Sequence, residues 1–262
     1  MSEAVLYEKR GKVAILTLNR PERLNAWNAE LGDRFWTHLD AAKADPEVLA
    51  IVMTGAGRGF CSGADMDLLQ GIQANGGEAN ARSLRNEHQT YTLSVPKPVI
   101  AAINGACAGL GMVQASMADV RFAAASAKFT TAFSRRGLIA EHGLGWVLPK
   151  LVGPSKALDL LMSGRVFLAE EALKLGFVNY LSSVENVLAD AITYAEDLAA
   201  NVSPTSMAIM KNQVWSGLAA QLADSNALAD REMKASLRRS DFKEGVSSFL
   251  EKRPPAFAPL QG

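Results

Sequence analysis

Two stretches of the chain share a design suited to stabilising a developing negative charge. They are Ile51-Val-Met-Thr-Gly-Ala-Gly-Arg-Gly-Phe-Cys-Ser-Gly-Ala-Asp65 and Ile100-Ala-Ala-Ile-Asn-Gly-Ala-Cys-Ala-Gly-Leu-Gly111. Each predicts a buried strand, a glycine turn and then a helix start. Glycine accepts φ > 0 and lets the backbone approach a ligand closely. A helix N-terminus leaves N–H groups without intrahelical partners and carries a partial positive charge. Two such N–H groups aimed at one point form an oxyanion hole, often the largest single contribution to catalysis. Taken alone, the glycines also suit an ordinary strand–helix turn or a dinucleotide loop. The dinucleotide loop needs Gly-x-Gly-x-x-Gly. Gly55-Ala-Gly-Arg-Gly-Phe60 lacks the third glycine at that spacing, and no Gly-Lys-Ser/Thr of a phosphate loop occurs.

The elements that must position these turns can be read from hydrophobic patterning. Residues 5–7 and 12–18 form a predicted hairpin about Arg10-Gly11, the second strand alternating and rich in Val, Ile and Thr. Residues 28–44 carry Leu31, Phe35, Leu39 and Ala42 at helical spacing, with Asn28 as N-cap and Pro46 beyond the end. Residues 48–54 and 99–103 are continuous apolar runs, as in buried strands. A short helix is expected near 65–70, a mobile polar segment at 71–77, helices at 82–93 and 110–117, and a strand at 120–123. After about residue 190 the strand signal fades, and helices are predicted at 185–200, 204–218, 219–236 and 241–252. The fold class is therefore α/β, with a strand–helix body over residues 1–195 and a helical C-terminal region over 196–262.

Composition narrows the function classes. The 262 residues include 27 basic and 27 acidic side chains. That zero net charge argues against a nucleic-acid binder or a protein docked on an anionic membrane. The two cysteines, Cys61 and Cys107, have no Cys or His partner at metal-ligand spacing, so no metal is expected. Polar residues Asn104, Gln114 and Asp119 interrupt the apolar stretches too soon for a membrane span, and no secretory signal is visible. The reading is a cytoplasmic protein.

Four segments then carry a specific resemblance. Asn19-Arg-Pro-Glu-Arg-Leu-Asn-Ala26, Gly59-Phe-Cys-Ser-Gly-Ala-Asp65, Pro98-Val-Ile-Ala-Ala-Ile-Asn-Gly-Ala-Cys-Ala-Gly-Leu-Gly111 and Glu244-Gly-Val-Ser-Ser-Phe-Leu-Glu-Lys-Arg253 resemble, in order and spacing, the motifs of the enoyl-CoA hydratase/isomerase (crotonase) family. The resemblance covers nearly the whole chain. It implies a spiral of ββα units with a helical C-terminal trimerisation region, assembled as a homotrimer or hexamer. It implies an acyl-CoA thioester substrate, with coenzyme A entering as part of that substrate and no separate cofactor. The N–H groups of Cys61 and Leu110, the latter next to Gly109, would bind the thioester oxygen. Leu24, Ala26, Ser62, Gly63, Ala64 and Asp65 would line the path of the coenzyme. Phe249 and Lys252 would reach the coenzyme of a neighbouring subunit or close the site. Helix packing for Phe249 and a solvated charge for Lys252 are the plain alternatives. Met66, Leu69 and Trp146 are candidates for the acyl pocket, though core packing explains them equally.

The departures decide the expected chemistry. Glycine is usual in the family where this chain has Leu110. The hydratases of the family use two glutamates, and Val113 and Phe133 stand at those positions here. Gly137-Leu-Ile-Ala-Glu-His-Gly143 resembles the segment in which several isomerases of the family hold a catalytic acid, which places Glu141 in that role. Apolar Leu138, Ile139, Leu144 and Trp146 surround it in sequence, so burial should raise its pKa; the plain alternative is a cap on the helix starting near Gly143. The expected activity is movement of an enoyl-CoA double bond by Glu141. Hydration by a single carboxylate, C–C hydrolysis assisted by His142, and a CoA-thioester-binding homologue without catalysis are the alternatives, with a nucleotide-dependent oxidoreductase more distant. His38 is expected to be structural, His88 to lie near the pocket or on a helix surface, and His142 to face away from Glu141. Arg135 and Arg136 are expected on the surface or at a subunit contact.

Overall fold

The computed structural model describes residues 3–74 and 88–253; residues 75–77 and 82–87 of the expected polar segment and helix lie outside them. A hairpin of β1 (Val5–Arg10) and β2 (Val13–Leu18) opens the chain, followed by α1 (Ala29–Ala44). Asn28 caps α1, its side chain accepting the Leu31 N–H at 2.9 Å. The body is then three successive strand–strand–helix units. The first is β3 (Ala50–Gly55), β4 (Gly59–Cys61) and α2 (Met66–Ala74). The second is β5 (Val99–Ile103), β6 (Ala106–Ala108) and α3 (Leu110–Met117). The third is β7 (Val120–Ala124), β8 (Lys128–Thr130) and, after an irregular segment, α4 (Leu144–Val152).

Each unit gives its first strand to one sheet and its second to another. The larger sheet runs β1-β2-β3-β5-β7-β10, where β10 is Tyr180–Ser182, and every neighbouring pair from β2 onward is parallel. The smaller runs β4-β6-β8-β9, with β9 at Phe167–Leu168. This is the expected spiral of ββα units. β3 and β5 are buried at every residue, as strands of a parallel sheet covered on both faces must be. The continuous apolar runs read in the sequence reflect that double burial.

Helices α5 (Pro154–Ser163) and α6 (Ala169–Lys174) flank β9, and α7 (Val187–Asn201), α8 (Pro204–Ser236) and α9 (Ser240–Leu250) follow. α7 lies across β3, β5 and β7, so the division expected at residue 195 falls inside a helix that packs on the main sheet. α8 is one helix where two were expected to meet at 218/219. α2 runs on to Ala74, through the start of the expected polar segment. Among the described residues no helix is long and apolar enough to cross a membrane.

Candidate active site

The two glycine turns meet. Gly63 (φ 104°) follows β4 and Gly109 (φ 48°) follows β6, both in the left-handed half of backbone space that side chains disfavour. A Cβ on Gly63 would lie 3.7 Å from the Gly109 Cα, so the two turns are packed backbone against backbone. The residue after each glycine presents its N–H at that junction. Leu110 is the first residue of α3, and its N–H has no intrahelical acceptor. Ala64 forms an isolated parallel bridge with Trp27, in which Trp27 N–H donates to Gly63 O (2.7 Å) and Asp65 N–H donates to Trp27 O (2.9 Å). Successive N–H groups alternate in direction along an extended segment. The Ala64 N–H therefore points to the opposite side, and no backbone acceptor takes it among the described residues.

Both residues line a cavity of about 310 Å³ bounded by the β4–α2 turn, the start of α3, the segment after β8, and α9. Of the expected site residues, Ala26, Ser62, Gly63, Asp65, Met66, Gly109, Glu141 and Phe249 line it too, with Leu69. Cys61 does not. It is 0% exposed in β4, paired in register with Cys107 of β6, and its thiol is pushed up to about 12 by burial. The expected donor at Cys61 is thus inside the small sheet, and Ala64 occupies the place next to Leu110. Trp146 is also outside the cavity: α4 turns it toward α8, where its ring lies 6.3 Å from that of Trp215 and beneath the Lys150 ammonium. Leu24, expected on the coenzyme path, is not part of the lining either; its carbonyl accepts the Ser62 N–H at 3.0 Å. Lys252 is exposed just past α9 and is not part of the lining.

The cavity's carboxylates differ sharply. Asp65 is committed: one oxygen lies 2.8 Å from the Arg20 guanidinium and the other accepts the Asp67 N–H at the start of α2. Glu141 is 8% exposed and has no hydrogen-bond donor among the described residues apart from the neighbouring imidazole of His142, 3.4 Å away. It does not cap α4, whose N-cap is Gly143. Burial raises the Glu141 pKa, and the His142 charge opposes this only partly. His142 faces Glu141 because its backbone is left-handed (φ 54°), contrary to the expectation for adjacent residues. A non-glycine residue held there stores strain of roughly 1–3 kcal/mol. His88 is exposed, 3.9 Å from Asp230, and His38 packs against the Tyr7 ring, so neither reaches the cavity.

Comparison with known proteins decides the affiliation. The sequence model of the enoyl-CoA hydratase/isomerase family matches residues 8–259. The chain belongs to the enoyl-CoA hydratase/isomerase family. Among relatives, 1,2-epoxyphenylacetyl-CoA isomerase of Escherichia coli (strain K12) is 34% identical, the match covering 98% of this chain and 99% of that protein. A probable enoyl-CoA hydratase of Rhodobacter capsulatus is 37% identical over 97% of each chain. The solved structure of an enoyl-CoA hydratase from Mycobacterium marinum is 49% identical, covers 82% of this chain and 98% of its own, and superposes with a TM-score of 0.70. The spiral described above is the crotonase fold of that family.

This member of the enoyl-CoA hydratase/isomerase family presents hydrocarbon where a glutamate pair was sought. Phe133 lines the cavity, and Val113 is fully buried in α3. Several groups that shape the site were not singled out from the sequence. Arg20 donates to Ala26 O (2.6 Å) while holding Asp65, so it ties two cavity walls together. Asn25 donates to Ala56 O and Gly59 O and accepts the Arg20 N–H, stitching its loop onto the β3–β4 turn. Arg136 lines the cavity, contrary to the expectation of a surface residue, whereas Arg135 is exposed. Ala64 follows positive-φ Gly63 as Leu110 follows positive-φ Gly109, a parallel that only the backbone angles reveal.

The raised pKa of Glu141 has a consequence for stability. Folding favours its protonated form, so its contribution is fully present below the ordinary carboxylate range and is lost as pH rises through the raised value. Glu141→Gln should therefore melt above the parent protein at about pH 8, with the gap closing toward about pH 4. Calorimetry at the two pH values checks this; a variant melting lower at the higher pH contradicts it.

Proposed function

We propose that the protein is an enoyl-CoA isomerase in which the Ala64 and Leu110 N–H groups hold the thioester oxygen and Glu141 moves the proton. The observation that carries this reading is Glu141 itself, a desolvated carboxylate on the cavity wall whose one cationic neighbour among the described residues is an imidazole. Removing a proton beside a thioester turns its carbonyl into an enolate, and two fixed N–H donors stabilise that charge without reorganising. In its ionised form Glu141 takes the proton from C2 or C4 of the unsaturated acyl chain. As the resulting acid it returns the proton at the other carbon, and the double bond moves. Its raised pKa suits both halves of the cycle, since proton transfer is most efficient when the group's pKa lies near the working pH. Phe133 and Leu138 keep this part of the cavity apolar. The apolar wall suits a hydrocarbon acyl chain and disfavours an ordered water.

The names of several relatives favour a second reading, in which Glu141 alone activates water for addition across the double bond. Incubation with trans-2- and trans-3-enoyl-CoA, followed by mass analysis, separates the two. The isomerase reading expects interconversion at constant mass. Accumulation of a product one water heavier, with no interconversion, would replace it by the hydratase reading.

A further inference from the structure

Arg136 carries a charge that is left largely uncommitted among the described residues. It sits in the irregular segment after β8, is mostly buried, and lines the same cavity as Glu141. Buried guanidinium groups are normally paired or fully hydrogen-bonded. Arg121 shows how this chain does so elsewhere: it donates to the carbonyls of Phe177, Ala115 and Ala118, with Asp119 nearby. Arg136 makes one hydrogen bond among the described residues, from Nη1 to Ala132 O at 3.2 Å, and no ion pair. One face of its guanidinium is covered by the Phe249 ring of α9, with Cζ 4.6 Å from the ring centroid. Such stacking fixes the plane of the group and leaves its in-plane donors available.

The placement relative to Glu141 is also informative. Burial is the one cause that lowers the Arg136 pKa, and His142 is the one charge that acts on Glu141. Both groups line the cavity, and no ion pair joins them. A cation not paired with the base can bind an anion without drawing the base's pKa down.

We propose that Arg136, held flat by Phe249, selects acyl groups that carry a carboxylate and receives that carboxylate on its free edge. This rests on the reading of the cavity as an acyl-CoA site. The planar fork matches a carboxylate with two parallel N–H···O bonds, which a lysine cannot reproduce. The coenzyme's own carbonyl and phosphate oxygens are the competing acceptors.

The test uses two enoyl-CoA thioesters of equal chain length, one ending in a carboxylate and one in a methyl group. Thermal shift and kcat/KM are measured for the parent, Arg136→Leu and Arg136→Lys. The parent should prefer the carboxylate thioester, and Arg136→Leu should reduce the carboxylate-to-methyl ratio of kcat/KM about ten- to a hundredfold, as expected for loss of charge-assisted hydrogen bonds. Arg136→Lys, which keeps the charge and loses the fork, should fall between. Equal losses on both thioesters would overturn the inference and assign Arg136 to the coenzyme or to packing. Failure of both thioesters to raise the melting temperature of the parent would instead overturn the acyl-CoA reading on which the inference rests.

Discussion

Replacing Glu141 with glutamine should lower kcat by about 10²–10⁴-fold, the usual contribution of a positioned general base, while acyl-CoA binding survives. The substitution keeps size and shape in a site where the parent side chain is 8% exposed. What it removes is the ability to accept a proton. Among the described residues, no second lining group is placed to take over. Asp65 is held by Arg20 at 2.8 Å and by the Asp67 N–H, and the hydratase positions are hydrocarbon at Val113 and Phe133. His142 lies beside Glu141 but is not part of the cavity lining. Steady-state kinetics with a thermal-shift titration of the same thioester separates the two effects. A variant within tenfold of the parent in kcat would place the base elsewhere.

The second large effect should come from a backbone atom. Leu110→Pro removes one of the two proposed oxyanion donors, and loss of one such donor typically costs about 10²–10³-fold in kcat. Proline is tolerated at the first position of a helix, where its missing N–H has no intrahelical acceptor and its fixed φ is already helical. Leu110 is that first position of α3. Leu110→Ala trims the same side chain and keeps the donor, so it isolates the N–H from the packing. The expected order of kcat is parent, then Leu110→Ala, then Leu110→Pro far below. Circular dichroism shows whether α3 survives. If the alanine and proline variants lose kcat equally, the Leu110 N–H is not an oxyanion donor.

The outcome of reading this sequence depended on how local each signal was. β3 and β5 are continuous apolar runs because both faces are covered, and α1 announces itself by its apolar spacing and the Asn28 cap. β4, β6 and β8 are three residues each. That is too short for periodicity to register, so the first two were absorbed into the glycine turns. This is also why Cys61 was read as part of the turn: without β4 its burial in a strand cannot be seen. The burial of Glu141 was legible because its apolar neighbours in sequence are also neighbours in space, with Leu138 and Leu144 both buried. Arg136, Trp146 and His142 were not, for a common reason. Between β8 and α4 the chain reverses through positive-φ residues at Ala132, Gly137, His142 and Gly143. Each reversal changes which side chain faces the cavity, and only the packing of α9 on that segment and of α8 on α4 settles the result.

The central claim is that two N–H groups and one carboxylate act on the same enolate. It is tested most directly by incubating trans-3-enoyl-CoA in deuterated water and following double-bond position and deuterium content by mass spectrometry. The parent should move the double bond, with any deuterium it takes up confined to the carbons flanking it. Glu141→Gln should not move it at a measurable rate while still binding the thioester. Undiminished migration in Glu141→Gln would contradict the account.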